Sequence, residues 1–463
     1  MKHHLLLARQ LLIGLFFVGV FAMPVSGQTA TEDWSTPESL LDIPIEGFHA
    51  STPDIVVGPS ENAHLFFFAR PASDAEGLPA LYYARWAGEG WGVLNDVVVS
   101  PDGNVPGSVV GMESRSGYLY VVWASSQVWY SKALASVAAD PYAWSEPALV
   151  FSSSSLNQAA AAIGDDDVIH ILALSRDKDV YYVQLLPDDT IAKTVLVHHV
   201  EGEYYPYYPS LIVTPRNRLY ACWSNWTSSG HGVYCSSSQN NGDTWSTPEN
   251  IAEGHRGVWV DYSTRLGSIV RIIWGGVGVG GRYLQTSTDD GATWSVPFDL
   301  TQGVSMSGFT GQVASADSAG RLHVLINPGD GRYQHSIRDH TTWSNNRETG
   351  WEASDWIAAD VIEGNQLVVA YWVPGRVLST WLPLGTERIT PAALPTPPPI
   401  QDPTESIVAV LPTTTPDIKP MPDLPTQAVQ QSQQRNIPLF MSVVVPLLIV
   451  VATVLWRLNP IRK

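Results

Sequence analysis

Positive charge is scarce in this chain. Lys and Arg number 26 against 44 Asp and Glu, a net charge of −18 over 463 residues. An acidic surface repels phosphate backbones and anionic lipid, which excludes nucleic acid and anionic membrane surfaces as partners of the folded part. Cysteine is scarcer still. The two cysteines, Cys222 and Cys235, flank a hairpin-like stretch, RLYACWSNWTSSGHGVYC, in which neighbouring strands can set them opposite each other. Outside the cell such a pair is expected to form a disulfide, the alternative being two buried thiols. The 12 histidines are scattered, and His198 and His199 lack partners at ligand spacing, so no metal centre is expected. No glycine-rich phosphate loop leads from a strand into a helix; GGVGVGG at 275–281 reads as a hairpin tip, and no cofactor is expected. Convincing helical periodicity is missing everywhere except at the two ends.

Those ends are informative. Residues 1–27 read as a signal peptide: Lys2 and Arg9 precede the apolar run LLIGLFFVGVFAM, and Val25 and Gly27 allow cleavage before Gln28. An uncleaved N-terminal anchor is the alternative. Residues 437–456, IPLFMSVVVPLLIVVATVLW, are 20 residues without a charge, enough for a helix of about 30 Å across the hydrocarbon core. Pro446 is tolerable there. Trp456 suits the interface, and Arg457, Arg462 and Lys463 place the short tail 457–463 in the cytoplasm. Residues 389–436 carry eleven prolines among Thr, Gln and Ala, a composition that stays extended and forms a stalk. The working part, 28–388, is thus expected outside the cell, held to the membrane by a single C-terminal helix.

Within it a phrase recurs. DWSTPESL at Trp34, GWGVLNDV at Trp91, AWSEPALV at Trp144, TWSTPENI at Trp245, TWSVPFDL at Trp294 and TWSNNRE at Trp343 are spaced 57, 53, 101, 49 and 49 residues apart. The interval of 101 holds two units, the middle one having lost its tryptophan near DDTIAKTVLV. Each unit contains short β-branched and aromatic runs broken by turn residues. Four antiparallel strands repeating at about 40–50 residues predict the blades of a β-propeller. Seven third strands can be counted, with six blades as the alternative. The last unit lacks its own outer strand, which the N-terminal DWSTPESLL can supply, closing the ring.

STDDGATW places Ser287, Asp289, Gly291, Thr293 and Trp294 in the pattern S-x-D-x-G-x-T-W. This resembles the Asp-box, or BNR repeat, of the sialidase-like β-propeller superfamily. SQNNGDTW keeps Ser238, Gly242, Thr244 and Trp245 but has Asn240 for the aspartate, and SIRDHTTW keeps only Ser336, Thr342 and Trp343. The side chains of Ser287 and Asp289 can bond the loop's own backbone, Gly291 permits a positive φ, and Trp294 can bury a large ring between blades. The resemblance implies that such turns join third and fourth strands on the face opposite an active site, so Asp289 is expected to shape a turn.

Function is then expected on the other face, in the loops leading into each blade and between second and third strands. HHVEGEYYPYYPS at 198–210 offers Tyr204, Tyr205, Tyr207 and Tyr208, and EGHRGVWVDYS, read as the next such loop, offers His255, Trp259 and Tyr262. Aromatic rings with a polar handle suit a glycan or protein ligand. The resemblance also implies a sialidase mechanism with three arginines, a tyrosine nucleophile paired with a glutamate, and an acid/base aspartate. Candidates are Glu203, Asp261, Arg70, Arg256 and Arg376, although FARPAS around Arg70 departs from the family's F/Y-R-I-P sequence. The expected role is binding of extracellular glycan or protein, with an exo-acting glycoside hydrolase as the alternative.

Overall fold

The computed structural model describes residues 33–396 except 48, 154–155, 202–203, 228–229, 277–280, 302–311, 329–330 and 354–356. The expected signal peptide and membrane helix, and residues 397–436 of the expected stalk, lie outside the described residues. Among the described residues no helix is long and apolar enough to cross a membrane.

Seven antiparallel sheets form the blades of one propeller. From inner to outer strand, blade 1 holds Asp54–Val57, Ala63–Ala69, Ala80–Arg85 and Asn95–Val99, and blade 2 holds Ser108–Glu113, Tyr118–Ala124, Val128–Leu134 and Ala148–Phe151. Blade 3 holds Leu156–Ile163, Ile169–Ser175, Asp179–Leu185 and Ile191–His199, and blade 4 holds Tyr207–Val213, Leu219–Thr227, Gly230–Ser238 and Glu249–Glu253. Blade 5 holds His255–Ser263, Ser268–Gly276, Arg282–Ser287 and Phe298–Asp299. In blade 6, Gln312–Ala316, Leu322–Ile326, Arg332–Asp339 and Thr342–Trp343 are joined by Arg347–Glu352, which also pairs with the third strand. Blade 7 takes Ile357–Ile362, Gln366–Val373 and Arg376–Pro383 from the end of the chain and its outer strand, Glu38–Asp42, from the beginning. The count is therefore seven and not six, and the N-terminal strand closes the ring as expected.

The second strands carry the core. Ala63–Ala69 (AHLFFFA) and Ile169–Ser175 (IHILALS) are buried at every position, because a strand flanked by sheets on both sides has no face left for water. Between blades the packing is directional. Trp144 of blade 2 lies against Phe66 and Tyr83 of blade 1, with centroids 6.1 and 6.0 Å apart. Trp245 of blade 4 meets Tyr182 of blade 3 at 5.3 Å, Trp294 of blade 5 meets Tyr220 of blade 4 at 5.6 Å, and Trp343 of blade 6 stacks on Phe298 of blade 5 at 4.3 Å. Trp34 of the closing segment meets Trp351 of blade 6 at 5.5 Å, and Trp91 of blade 1 donates its indole N–H to Ser379 Oγ of blade 7 at 2.9 Å. Blade 3, which lacks the tryptophan, is joined to blade 2 by an ion pair of Asp189 with Lys132 at 2.6 Å.

The turn that presents Trp294 is closed by its own side chains. Asp289 Oδ1 accepts from Ser287 Oγ and from the Thr293 N–H, each at 2.8 Å, and Oδ2 accepts from Thr293 Oγ1 at 2.6 Å. Gly291 sits at φ 87°. Hydrogen bonds from Thr293 hold the Asp289 carboxyl down at about 2, so it stays ionised. In the turn at 238–245, Asn240 Oδ1 accepts the Thr244 N–H at 2.9 Å while its amide donates to Thr244 Oγ1 at 2.9 Å. An amide thus replaces the carboxylate without loss of the turn.

The inner strands line a polar axial channel. Asp54 of blade 1, Asp261 of blade 5 and Asp360 of blade 7 feel one another's charge across it. Burial pushes Asp54 up to about 7, the charges of Asp360 and Asp261 adding to it and the Gly111 N–H, donated at 2.7 Å, opposing it. Asp360 rises to about 6 through burial even though Ser315 Oγ donates to it at 2.5 Å. Asp261 meets channel water yet is ringed by protein, and that poor solvation raises its pKa too. At one end of the channel Arg265 of blade 5 donates to Ala316 O of blade 6 at 2.9 Å, to Val361 O of blade 7 at 3.0 Å and to Glu61 Oε2 of blade 1 at 2.5 Å.

Two outcomes follow from this architecture. Trp294→Ala removes a half-buried ring whose face lies 3.6 Å from the Arg271 guanidinium; equilibrium urea unfolding should show a loss of about 3 kcal/mol. For the channel, a carboxyl raised from 3.8 to about 7 binds its proton more tightly folded than unfolded. The stability it contributes is complete below 3.8 and is lost as pH rises through about 7. Asp54→Asn, which keeps an acceptor for Gly111, should therefore stabilise the protein by on the order of 2 kcal/mol at pH 8 and change little near pH 4. Equal effects at both pH values would rule out the raised carboxyl.

Candidate functional site

Each inner strand runs from the face bearing the crossovers and second-to-third hairpins, here the upper face, to the lower face bearing the remaining turns. Blade 4 enters the ring through YYPYYPS, and its two prolines shape the entry. Pro209 has no N–H for the ladder, and the register slips between Tyr207, opposite Ser224, and Ser210, opposite Cys222. In this bulge Tyr208 takes φ 54°, a conformation that costs a bulky residue about 1–3 kcal/mol and persists only where its surroundings impose it. The Tyr208 N–H donates to Gln158 Oε1 of blade 3 at 2.7 Å, and its ring stands edge-on to Trp274 of blade 5 at 5.0 Å and to Tyr207 at 4.9 Å. Trp274 is buried against the backbone of Gly257, where a Cβ would fall 2.3 Å from the indole. Three blades thus brace one row of rings.

On this platform Tyr204 and Tyr205 are 41% and 39% exposed. The guanidinium of Arg176, from the blade 3 hairpin, lies 5.7 Å from the Tyr205 centroid, close enough for a cation–π contact. From blade 5, His255 bonds the Glu253 carbonyl at 3.0 Å and stands edge-on to Tyr283 at 5.8 Å. Arg256 follows it and is near enough to Tyr207 to favour the phenolate, but burial dominates and pushes the Tyr207 hydroxyl up to about 12. At neutral pH that hydroxyl is protonated and can donate a hydrogen bond.

The structure thus gathers Tyr204, Tyr205, Tyr207, Tyr208, His255 and Arg256 about the junction of blades 3, 4 and 5. Other candidates lie elsewhere. Residues 255–262, expected as a loop, form most of the inner strand His255–Ser263, separated from blade 4 by Gly254 alone. Of 198–210, residues 198–199 and 207–210 belong to strands. A nine-residue strand spans about 30 Å, so its far end belongs to the lower half of the ring. Tyr262 there feels Asp290 and Arg216, both in lower-face turns, and Asp261 beside it faces the channel. Trp259 packs into the cluster shared by blades 5 and 6.

Arg70 donates to Gly77 O at 3.1 Å and Gly103 O at 2.7 Å, tying the blade 1 hairpin to the next crossover. Arg376 is exposed, opposite Asp42 of the closing strand. Glu203 lies outside the described residues. Cys222 and Cys235 face each other in register, Cα atoms 4.1 Å apart, and form a disulfide within blade 4. Asn225 of the sequon NWT is 4% exposed within a strand, closed to a glycan.

Sequence reasoning missed Gln158, Trp274 and Tyr283. Gly257 was the available signal, since glycine inside a strand marks close approach of another group. Among the described residues no group of three or more His, Cys, Asp or Glu is placed to hold a metal ion.

No protein-family model and no curated protein matches the chain. Solved structures do. The BP39L lectin of Burkholderia pseudomallei superposes with a TM-score of 0.56 at 12% identity, over 77% of this chain and 100% of the lectin. A polysaccharide lyase, an ulvan lyase, gives 0.48 at 12% identity over 77% of this chain and 99% of its own. A Hadza microbial sialidase gives 0.40 at 12% identity over 73% of this chain and 66% of its own. At such identities the likeness to the lectin establishes a shared propeller fold.

Proposed function

We propose that this chain is a glycan-binding propeller of the sialidase-like Asp-box type, displayed outside the cell and held to the membrane by residues 437–456. The observation that carries the reading is the pair of exposed rings, Tyr204 and Tyr205, beside the Tyr208 platform braced from three blades, with Arg176 against the Tyr205 ring. Ring faces stack on the C–H surfaces of sugars, and guanidinium and phenol donors orient hydroxyl or carboxylate groups. Rigid placement lowers the ordering cost of binding. A lectin among the proteins of similar fold is consistent with this use. An extracellular protein ligand is the neighbouring reading.

Binding is favoured over hydrolysis. Glycoside hydrolysis ordinarily needs two carboxyl groups about 5–9.5 Å apart across the cleft. Asp261, one of the carboxylates offered by the sequence, lies toward the other end of its strand.

The test is a glycan array probed with the full chain in detergent, alongside a panel of fluorogenic glycosides. Binding without turnover is expected. Tyr204→Ala combined with Tyr205→Ala should weaken it roughly tenfold at about 0.5–1.5 kcal/mol per stacked ring, leaving the thermal transition unchanged. Binding indifferent to both rings would overturn the site, and turnover lost with Arg256→Ala would replace the reading by a hydrolase.

A further inference from the structure

After its last strand the chain does not leave the propeller. Residues 384–395 lie along the lower-face turns between inner and second strands, touching blades 6 and 7 first and then blades 1 and 2. The Leu384 N–H donates to Asn365 O at 2.9 Å, and Arg321 of blade 6 donates to the Leu384 carbonyl at 3.1 Å. Thr386 Oγ1 donates to Gly364 O of blade 7 at 2.9 Å, and Ser318 Oγ of blade 6 to Glu387 O at 2.6 Å. Arg388 grips the Glu363 carboxylate through two nitrogens, at 2.5 and 2.8 Å, and the Ile389 N–H reaches Glu363 O at 2.7 Å.

The segment then reaches the first blades. The Ala392 N–H donates to Ser60 O at 2.7 Å, and Asn62 of the same turn donates back to Ala392 O at 3.1 Å. Leu394 packs on the cluster shared by blades 1 and 2. Pro395 lies over Gly117, whose φ of 82° and missing side chain admit it; a Cβ there would stand 2.2 Å from the proline ring.

We infer that residues 384–395 are a strap, a second clasp that bolts the ring shut on the lower face where the outer strand Glu38–Asp42 already closes it from the rim. The seam of the ring, where the two ends of the chain meet, lies inside blade 7, between the outer strand Glu38–Asp42, which runs on through residues 43–53 into blade 1, and the third strand Arg376–Pro383. Closing strand and strap both come from chain ends and both secure that blade. The strand pairs within blade 7, whereas the strap joins blade 7 to blades 1 and 2. Contacts to Glu363 alone would fix a tail to its own blade. Those to Ser60, Asn62 and Gly117 carry it across the seam.

The test is hydrogen exchange by mass spectrometry on the full chain, comparing wild type with Arg388→Ala/Leu394→Asp and with the milder Ala392→Pro, which deletes one N–H. Exchange should rise at least tenfold in Glu38–Asp42, Asp54–Val57, Ile357–Ile362 and Arg376–Pro383, while strands of blades 3, 4 and 5 keep their rates. Should the double variant fail to fold, Ala392→Pro carries the comparison alone. Free exchange at Ile389 and Ala392 in the wild type would overturn the strap. So would variants that release the strap yet leave the seam strands unchanged, or that loosen every blade equally.

Discussion

A ring of sheets stands or falls by the contact between one blade and the next, and here that contact is an aromatic wedge. In blades 2, 4, 5 and 6 the tryptophan at or just before the outer strand reaches backward, onto the blade before it, as Trp294 does onto Tyr220 and Trp343 onto Phe298. A wedge of this kind is directional, so each of these blades leans on the one before it in sequence. Only closure lets blade 1 lean on blade 7, through Trp91 and Ser379. Where the wedge is missing, at blade 3, the Lys132–Asp189 pair takes its place, with the Lys132 ammonium also 5.6 Å from the Tyr118 ring. A part-exposed ion pair is worth less than a buried indole, and the neighbouring Phe151–Tyr181 contact at 4.9 Å supplies apolar packing in the same groove.

The two faces answer to different demands. The lower face is held by charge: Arg115 pairs with Asp165 between blades 2 and 3, Arg216 with Asp290 between blades 4 and 5, and Arg265 reaches over the axis to Glu61. Arg388 adds a further pair with Glu363. Exposed pairs contribute little individually, but in consecutive blades they set the relative height of neighbouring turns. The upper face at blades 3 to 5 is instead aromatic, with its polar tips turned to water. Tyr208 there holds its positive φ within an inner strand, unlike Glu61, Asn217 and Asp290, whose positive φ falls in lower-face turns.

Much of this architecture is legible in residues that shape turns and wedges, because a blade cannot be built without them. The tryptophan spacing counts the blades, the gap of 101 residues marks the one without a wedge, and the orphan DWSTPESLL reads as the missing strand. The candidate site is legible only in part. Its tyrosines stand out as a cluster, but His255, Arg256 and Asp261 look like loop residues when they belong to one strand. The reason is that the inner strand of a propeller meets water at its upper end and in the channel, so polar side chains interrupt its β pattern without ending it. Asp54 and Asp360 were passed over for the same reason: a carboxylate within a strand signals an axial channel only once the ring is closed. Trp274 carries no mark at all beyond the glycine beneath it.

The strap bears on how the upper face can be used. Chain that touches blades 6, 7, 1 and 2 on the lower face occupies that face with residues 384–395. The rings at Tyr204 and Tyr205 lie on the opposite side. A ligand approaching them meets neither the strap nor the ion pairs of the lower turns. Arg265 ties blades 5, 6, 7 and 1 together at the far end of the channel, and the carboxyls of Asp54 and Asp360 lie along its wall. The same closures that stabilise the ring therefore leave one surface free, and it is the surface on which three blades hold their aromatic rings in place.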